Sequence, residues 1–347
     1  MPSFVEATVT EILSERKGLQ RVLVHRSPSA TAERAYVLTF VIGPVRTQDR
    51  VVVNTTAVDL GLGTGGWHVV HWNLSRNEWV RPGSGHVLKL RYTSMQVDTG
   101  VAEEFESHPS VPDLEGTPVV ACLLHSQVAA VAVAAKHLRP DIRIAYVMTD
   151  QASLPLALSD LLHDLTERRL VDVTISAGQA FGGDHEAVNT ASALQIAKGL
   201  GADLIIVAEG PGVVGTGTAL GFSGLEMVAA LDDIRRAGGR PLLALRWSDA
   251  DHRERHRGMS HHSRTVLDRT ATAVTIGVPV SHSPPILPRH LVRSVEIPDV
   301  DAMFSTTDLT VTSMGRSPSE DPGFFAFASA AGIAAVELLE PPQGRAT

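Results

Sequence analysis

Histidine and arginine crowd into one stretch of this chain. RWSDADHRERHRGMSHHSRTVLDR, residues 246–269, holds His252, His256, His261 and His262 among Arg253, Arg255, Arg257 and Arg264. Guanidinium groups grip phosphate or carboxylate through paired donors, and imidazole moves protons near neutral pH. The stretch reads as an anion site, with Arg253, Arg255 and Arg257 as binding groups and His256, His261 and His262 as catalytic proton carriers. Two other readings stand beside it. His252 and His256, four residues apart, could hold a metal with Asp249 or Asp251 as a carboxylate ligand. A solvated loop is the plain alternative. Ser260 is placed to cap a helix over 261–269.

A second tract, EGPGVVGTGTALGFSG at 209–224, is rich in glycine. Glycine lets backbone amides approach an anion closely, and a helix N-terminus beyond adds a favourable dipole. Gly210, Gly212, Gly215 and Gly217, with the hydroxyls of Thr216 and Thr218, are the expected phosphate cradle. Glycines 210, 212 and 215 spell G-x-G-x-x-G, but Pro211 intrudes and the glycines run on to Gly224, so a dinucleotide fingerprint fits poorly. The G-x-G-x-x-G at 61–66 lies between strand-like runs, where glycine turns are ordinary. In AFGGDHEAVNTAS, 180–192, Asp184 reads either as a helix N-cap or, with His185 and Glu186, as a base or metal ligand. His125 and Asp150 each end an apolar run and join the catalytic candidates. Ser126 beside His125 makes no triad signature, and no G-x-S-x-G elbow is present.

These residues need elements to hold them. Six near-continuous apolar runs, 119–125, 143–149, 171–177, 203–209, 241–247 and 273–279, alternate with helix-like stretches from residue 117 onward. Such runs are the mark of parallel strands buried on both faces, so the expected fold is α/β with a doubly wound, mostly parallel, Rossmann-like sheet over 117–340. Each candidate sits just after a run. In such a sheet those positions share the carboxyl edge, where ligands bind. VEIPDV and DLTVTSM are expected edge strands, PGFFAFASAAGIAAVELL a closing helix, and PPQGRAT a frayed tail.

Residues 1–100 read differently. Six short β-branched runs (4–13, 21–26, 35–42, 50–58, 66–74 and 86–95) separated by turn residues predict a small antiparallel β-barrel or sandwich domain. Residues 101–116, acidic with two prolines, are the expected linker.

The totals exclude several classes. A net charge of -8 argues against a general nucleic-acid binder, although a local basic patch is compatible with it. No apolar run reaches membrane-spanning length. The single Cys122 lies in an apolar run, and with no secretion signal at the N-terminus this points to the cytoplasm. Only Lys17, Lys89, Lys136 and Lys198 are lysines, which removes most candidates for Schiff-base or Walker-type chemistry.

The tracts GTGGWHVVHWNL, LLHSQVAAV, YVMTDQASLP, AFGGDHEAVN, GPGVVGTGTALGFSG, RHRGMSHHS and MGRSPSEDPGFF together resemble a bacterial family known only as a domain of unknown function. The resemblance spans nearly the whole chain and carries over no catalytic role. The expected function is an enzyme acting on a phosphorylated or otherwise anionic small molecule, a nucleotide being one such molecule, by hydrolysis or group transfer. A non-catalytic metabolite sensor and a metal-dependent enzyme using the histidines are the alternatives. The cofactor stays open, and a homodimer is compatible with the architecture although no residue demands it. The shared-site reading requires the glycine tract and the histidine–arginine tract to meet.

Overall fold

The computed structural model describes residues 1–339 apart from 30, 64, 84, 106 and 284–286. The expected frayed tail, 341–347, lies outside the described residues. The chain divides into two units, residues 1–100 and 101–347.

The first unit is a closed barrel of β1 (Phe4–Arg16), β2 (Leu19–His25), β3 (Glu33–Val37), β4 (Arg50–Asn54) and β5 (Trp67–Asn73), in the ring order β1-β2-β3-β5-β4. Alternation places Val9, Val22, Val24, Ala35, Val37, Val51 and Val53 inside. The expectation of a purely antiparallel barrel is corrected: β3 and β5 pair in parallel. A ring of five strands cannot alternate direction throughout, so one neighbouring pair must run the same way. The runs at 35–42 and 50–58 end in short helices α1 (Thr39–Ile42) and α2 (Thr56–Asp59). The sixth run is no barrel strand; it supplies only β6 (Leu88–Lys89), which pairs with β7 (Val97–Asp98).

In the second unit all eight strands of one sheet run parallel. They are β8 (Pro118–Cys122), β9 (Ile144–Thr149), β10 (Val173–Ser176), β11 (His185–Glu186), β12 (Leu204–Glu209), β13 (Arg240–Ala244), β16 (Thr275–Pro279) and β17 (Leu291–Val295). Their order is β11-β10-β9-β12-β8-β13-β16-β17. A separate two-stranded ladder, β14 (Trp247–Ser248) with β15 (Gly258–Met259), follows β13. The edge strands are β11 and β17; of VEIPDV only Val295 lies in a strand, the last residue of β17, and DLTVTSM forms no strand of the sheet. In that stretch Val300–Ser305 forms helix α8, and Ser313 makes only an isolated bridge to Arg316.

Helices α3 (Gln127–Leu138), α4 (Asp160–Glu167), α8 and α9 (Pro322–Glu337) pack on one face of the sheet. Helices α5 (Thr190–Gly199), α6 (Met227–Arg236) and α7 (His261–Arg269) pack on the other. The connection after β8 therefore leaves by one face, and those after β12 and β13 leave by the other. Neighbouring strands whose connections part in this way open a crevice at their carboxyl ends. Gly332 of α9 lets that helix approach α3 at Val131, where a Cβ would strike the backbone. Among the described residues, no helix is long and apolar enough to cross a membrane.

Candidate functional site

Beyond β13 the chain enters the crevice with Arg246, a charged side chain only 6% exposed. Its Nη1 lies 3.0 Å from His262 Nδ1. A guanidinium only donates, so the lone pair of neutral His262 sits on Nδ1 and its proton on Nε2. That Nε2–H is buried and has no partner among the described residues. Ser260 caps α7 as expected: its hydroxyl accepts the His262 backbone N–H at 3.2 Å and bonds His256 Nδ1 at 2.7 Å. His261 completes the group, its Nε2 also buried without a partner among the described residues. The three rings stand 4.3 to 5.0 Å apart between centroids, with one ligand atom from each within 4.8 Å of the others.

Burial holds these imidazoles neutral. It drives His256 and His262 each down to about 3, with the charge of Arg246 adding to the effect, and it lowers His261 together with Arg255. Burial also lowers Arg246 to about 10, leaving it a cation at neutral pH. The expected arginine set divides. Arg253 is engaged: its Nε and Nη2 grip buried Asp251 at 2.9 and 2.8 Å and hold that carboxyl well below the usual range. Arg316 lies 3.8 Å from Asp251 and donates to buried Asp321 at 3.1 Å, tying the turn before α9 into the site. Arg255 is exposed but close enough for its charge to act on His261 and His262. Arg257 is exposed. His252 is exposed and Asp251 is held by Arg253, so the alternative of a His252–His256 metal pair gives way to the triangle of His256, His261 and His262.

The glycine tract meets the histidines. Phe222 stacks on His262 at 3.9 Å with the planes 6° apart. A Cβ on Gly215 would stand 3.2 Å from His262 Cε1. The tract is not an open amide cradle, however. Thr216 N–H bonds Gly221 O at 2.7 Å, Thr218 N–H bonds the Thr216 hydroxyl, and Gly221 N–H bonds the Thr218 hydroxyl. The loop closes on itself as a small hairpin bridged at Gly215 and Phe222, and the Thr216 and Thr218 hydroxyls expected to face a phosphate are bonded within it. Gly210 approaches Ser153, and Gly212 and Gly217 lie in open space.

Two acidic residues beside this loop escaped the sequence reading. Glu209 ends β12 fully buried, and neither carboxyl oxygen has a hydrogen-bond partner among the described residues. The nearby Ser223 hydroxyl, 3.3 Å from Val214 O, works against the effect of burial on Glu209. Burial raises Glu209 to about 7. Glu226, which accepts from Thr149 Oγ1, is raised by burial to about 8, with Glu209 and Asp150 adding repulsion. The only sequence signal was Glu209 closing a wholly apolar run. Asp150 accepts Gln179 N–H at 2.9 Å beside Gly178.

His125 and Asp184 serve the frame. His125 Nδ1 donates to the Glu209 carbonyl at 3.1 Å, and Nε2 accepts from the Ser159 hydroxyl at 2.7 Å. Burial lowers it to about 4, so it is a neutral, fully bonded histidine. Asp184 is not the helix cap; Asn189 caps α5, and β11 intervenes. The Asp184 carboxylate accepts from the backbone and hydroxyl of Thr174, near the start of β10.

A family model described as protein of unknown function (DUF3866) matches residues 34–332, from β3 of the barrel into α9. The chain belongs to the DUF3866 family. No curated protein and no solved structure matches this DUF3866 chain. The match takes in both units and every residue of the histidine, arginine and glycine tracts described above.

Proposed function

We propose that the α/β unit binds a phosphorylated or otherwise anionic small molecule at the histidine triangle and acts on it as a hydrolase or transferase. The observation that carries the reading is the tautomer of His262. Arg246 forces an N–H donor into a buried cluster where it has no partner, and an unpaired buried donor invites an acceptor. The charges of Arg246, Arg253 and Arg255 favour an anion there over a cation. His261 and His256 supply imidazoles for proton transfer once bound anion draws protons onto them. Glu209 and Glu226, protonated near neutrality, are suited to general-acid work.

Isothermal titration of the full chain with phosphate, pyrophosphate and nucleoside phosphates tests the reading. Arg255→Ala, at an exposed position, is expected to weaken binding several-fold at unchanged melting temperature. His262→Phe, which keeps the ring on Phe222, is expected to abolish it. Normal binding by both variants sinks the proposal.

The triangle also supports a second reading, a divalent transition metal on the three imidazoles. His262 would then have to give up its Nε2 proton or part from Arg246. Elemental analysis of protein purified without chelator decides, since a stoichiometric metal would favour this reading.

A further inference from the structure

The overall charge conceals an uneven division. Residues 1–100 carry 11 Lys or Arg against 8 Asp or Glu, whereas residues 101–347 carry 19 against 30. The barrel unit is basic at +3 and the α/β unit acidic at -11. Whole-chain charge therefore says little about the barrel taken by itself.

Cross-strand register concentrates aromatic and guanidinium groups on one outward face. Arg21 of β2 stands opposite Tyr36 of β3, and Arg34 of β3 opposite Trp67 of β5. Their sequence neighbours Val22, Ala35, Val37 and His68 point inward and are buried, so these four side chains face out. Tyr36 and Trp67 stack at 4.6 Å with the planes 13° apart. The Arg21 guanidinium carbon lies 5.7 and 5.6 Å from the two rings, and that of Arg34 lies 5.0 Å from Trp67. Arg34 also donates to Gly65 O at 2.7 Å, and Gly65 and Gly66, at φ +63° and +76°, lead the chain into Trp67.

We propose that this outward face of β2, β3 and β5 binds single-stranded nucleic acid. Aromatic rings and guanidinium planes stack on unpaired bases, and arginines neutralise the phosphates between them. The face offers no helix to enter a major groove, and duplex bases present no free ring faces. The proposal concerns the barrel alone and does not rest on the reading of the histidine site.

Fluorescence anisotropy of the full chain with a labelled single-stranded oligonucleotide tests it, with the duplex of the same sequence alongside and salt varied. Expected are preference for the single strand, affinity falling as salt rises, and losses of about tenfold or more for Trp67→Ala and for Arg34→Glu. Trp67→Ala is at risk of disturbing the barrel. Arg34→Glu, at an exposed position and checked by its melting curve, keeps the test decisive. His262→Phe is expected to bind as wild type. No binding at low salt, equal affinity for duplex, or wild-type affinity in folded Arg34→Glu overturns the proposal. So does loss confined to His262→Phe, which would move the nucleic acid to the other unit. Acidic protein captured by this face in place of the oligonucleotide would mark it as a protein contact and overturn it as well.

Discussion

Two histidine environments lie along the same sheet edge, one after β8 and one after β13. At the first, His125 meets the Glu209 carbonyl, the Ser159 hydroxyl and Tyr146, and both ring nitrogens are bonded. At the second, His261 and His262 each keep a buried Nε2 with no partner among the described residues. Burial holds the histidines neutral in both places. What separates the two is satisfaction of hydrogen bonds, not burial or residue type. Folding selects for bonded polar groups in the interior, and the anion proposed for the triangle would supply the acceptor that His262 lacks among the described residues. Glu209 joins the first region to the glycine loop, its carbonyl serving His125 and its carboxyl standing beside Gly224 without a partner among the described residues.

The sharpest way to break this comparison is His125→Leu. It takes from the buried Ser159 hydroxyl its acceptor and from the Glu209 carbonyl one of two donors, Tyr146 remaining, at about 1–3 kcal/mol each. Denaturant unfolding at pH 7 is expected to show a loss of about 2–5 kcal/mol, with anion binding retained by the surviving folded fraction. The native protein also resists protonating this ring. Its folded pKa lies below its unfolded value of about 6.5, so the associated stability is present above pH 6.5 and declines as pH falls toward 4. Between pH 6.5 and 5 that decline amounts to about 2 kcal/mol, and the variant lacks it. Wild-type stability in His125→Leu would mean that full bonding at this position is incidental.

Glu209→Gln acts on the residue that ties the first region to the glycine loop. A folded pKa raised to about 7 means that the native state holds its proton more tightly than the unfolded chain. Stability is then complete below about pH 4.5 and falls as pH rises through 7, by about 3 kcal/mol. The glutamine variant carries no such proton, so its stability should vary less over that window and exceed that of wild type at pH 8. Parallel pH profiles for the two proteins would show that the carboxyl is ionised at little cost and is not an unpaired group at all.

Much of this was legible in the sequence. Strands such as β9 and β12 are buried along their whole length, so their apolar runs announce a parallel sheet and place the candidate residues at its edge. The meeting of the glycine and histidine tracts follows from that edge alone. Whether a polar group is bonded does not follow. Asp184 and Asn189 are both good caps, and only the pairing of β10 with β11 decides between them. His125 and His262 look alike in sequence; Ser159 and Arg246, each distant from one of them in the fold's logic, give them opposite roles. Glu209 passed as the polar end of a strand because its isolation arises from the turn at 223–226 folding over it.

The smallest expected effect is the most discriminating. Ser260→Ala removes the α7 cap and the hydroxyl that positions His256, and a lost N-cap costs about 1–2 kcal/mol. Stability alone cannot separate these two duties of the serine. Ser260→Asp restores a cap acceptor, yet its carboxylate brings a negative charge against His256 and into the proposed anion site. If the triangle binds anions, the aspartate variant should recover melting temperature while binding phosphate more weakly than the alanine variant. A cap without a role in the site predicts the opposite order, with binding recovering along with stability. The comparison of the two substitutions therefore reads the chemistry of the triangle through a residue that only supports it.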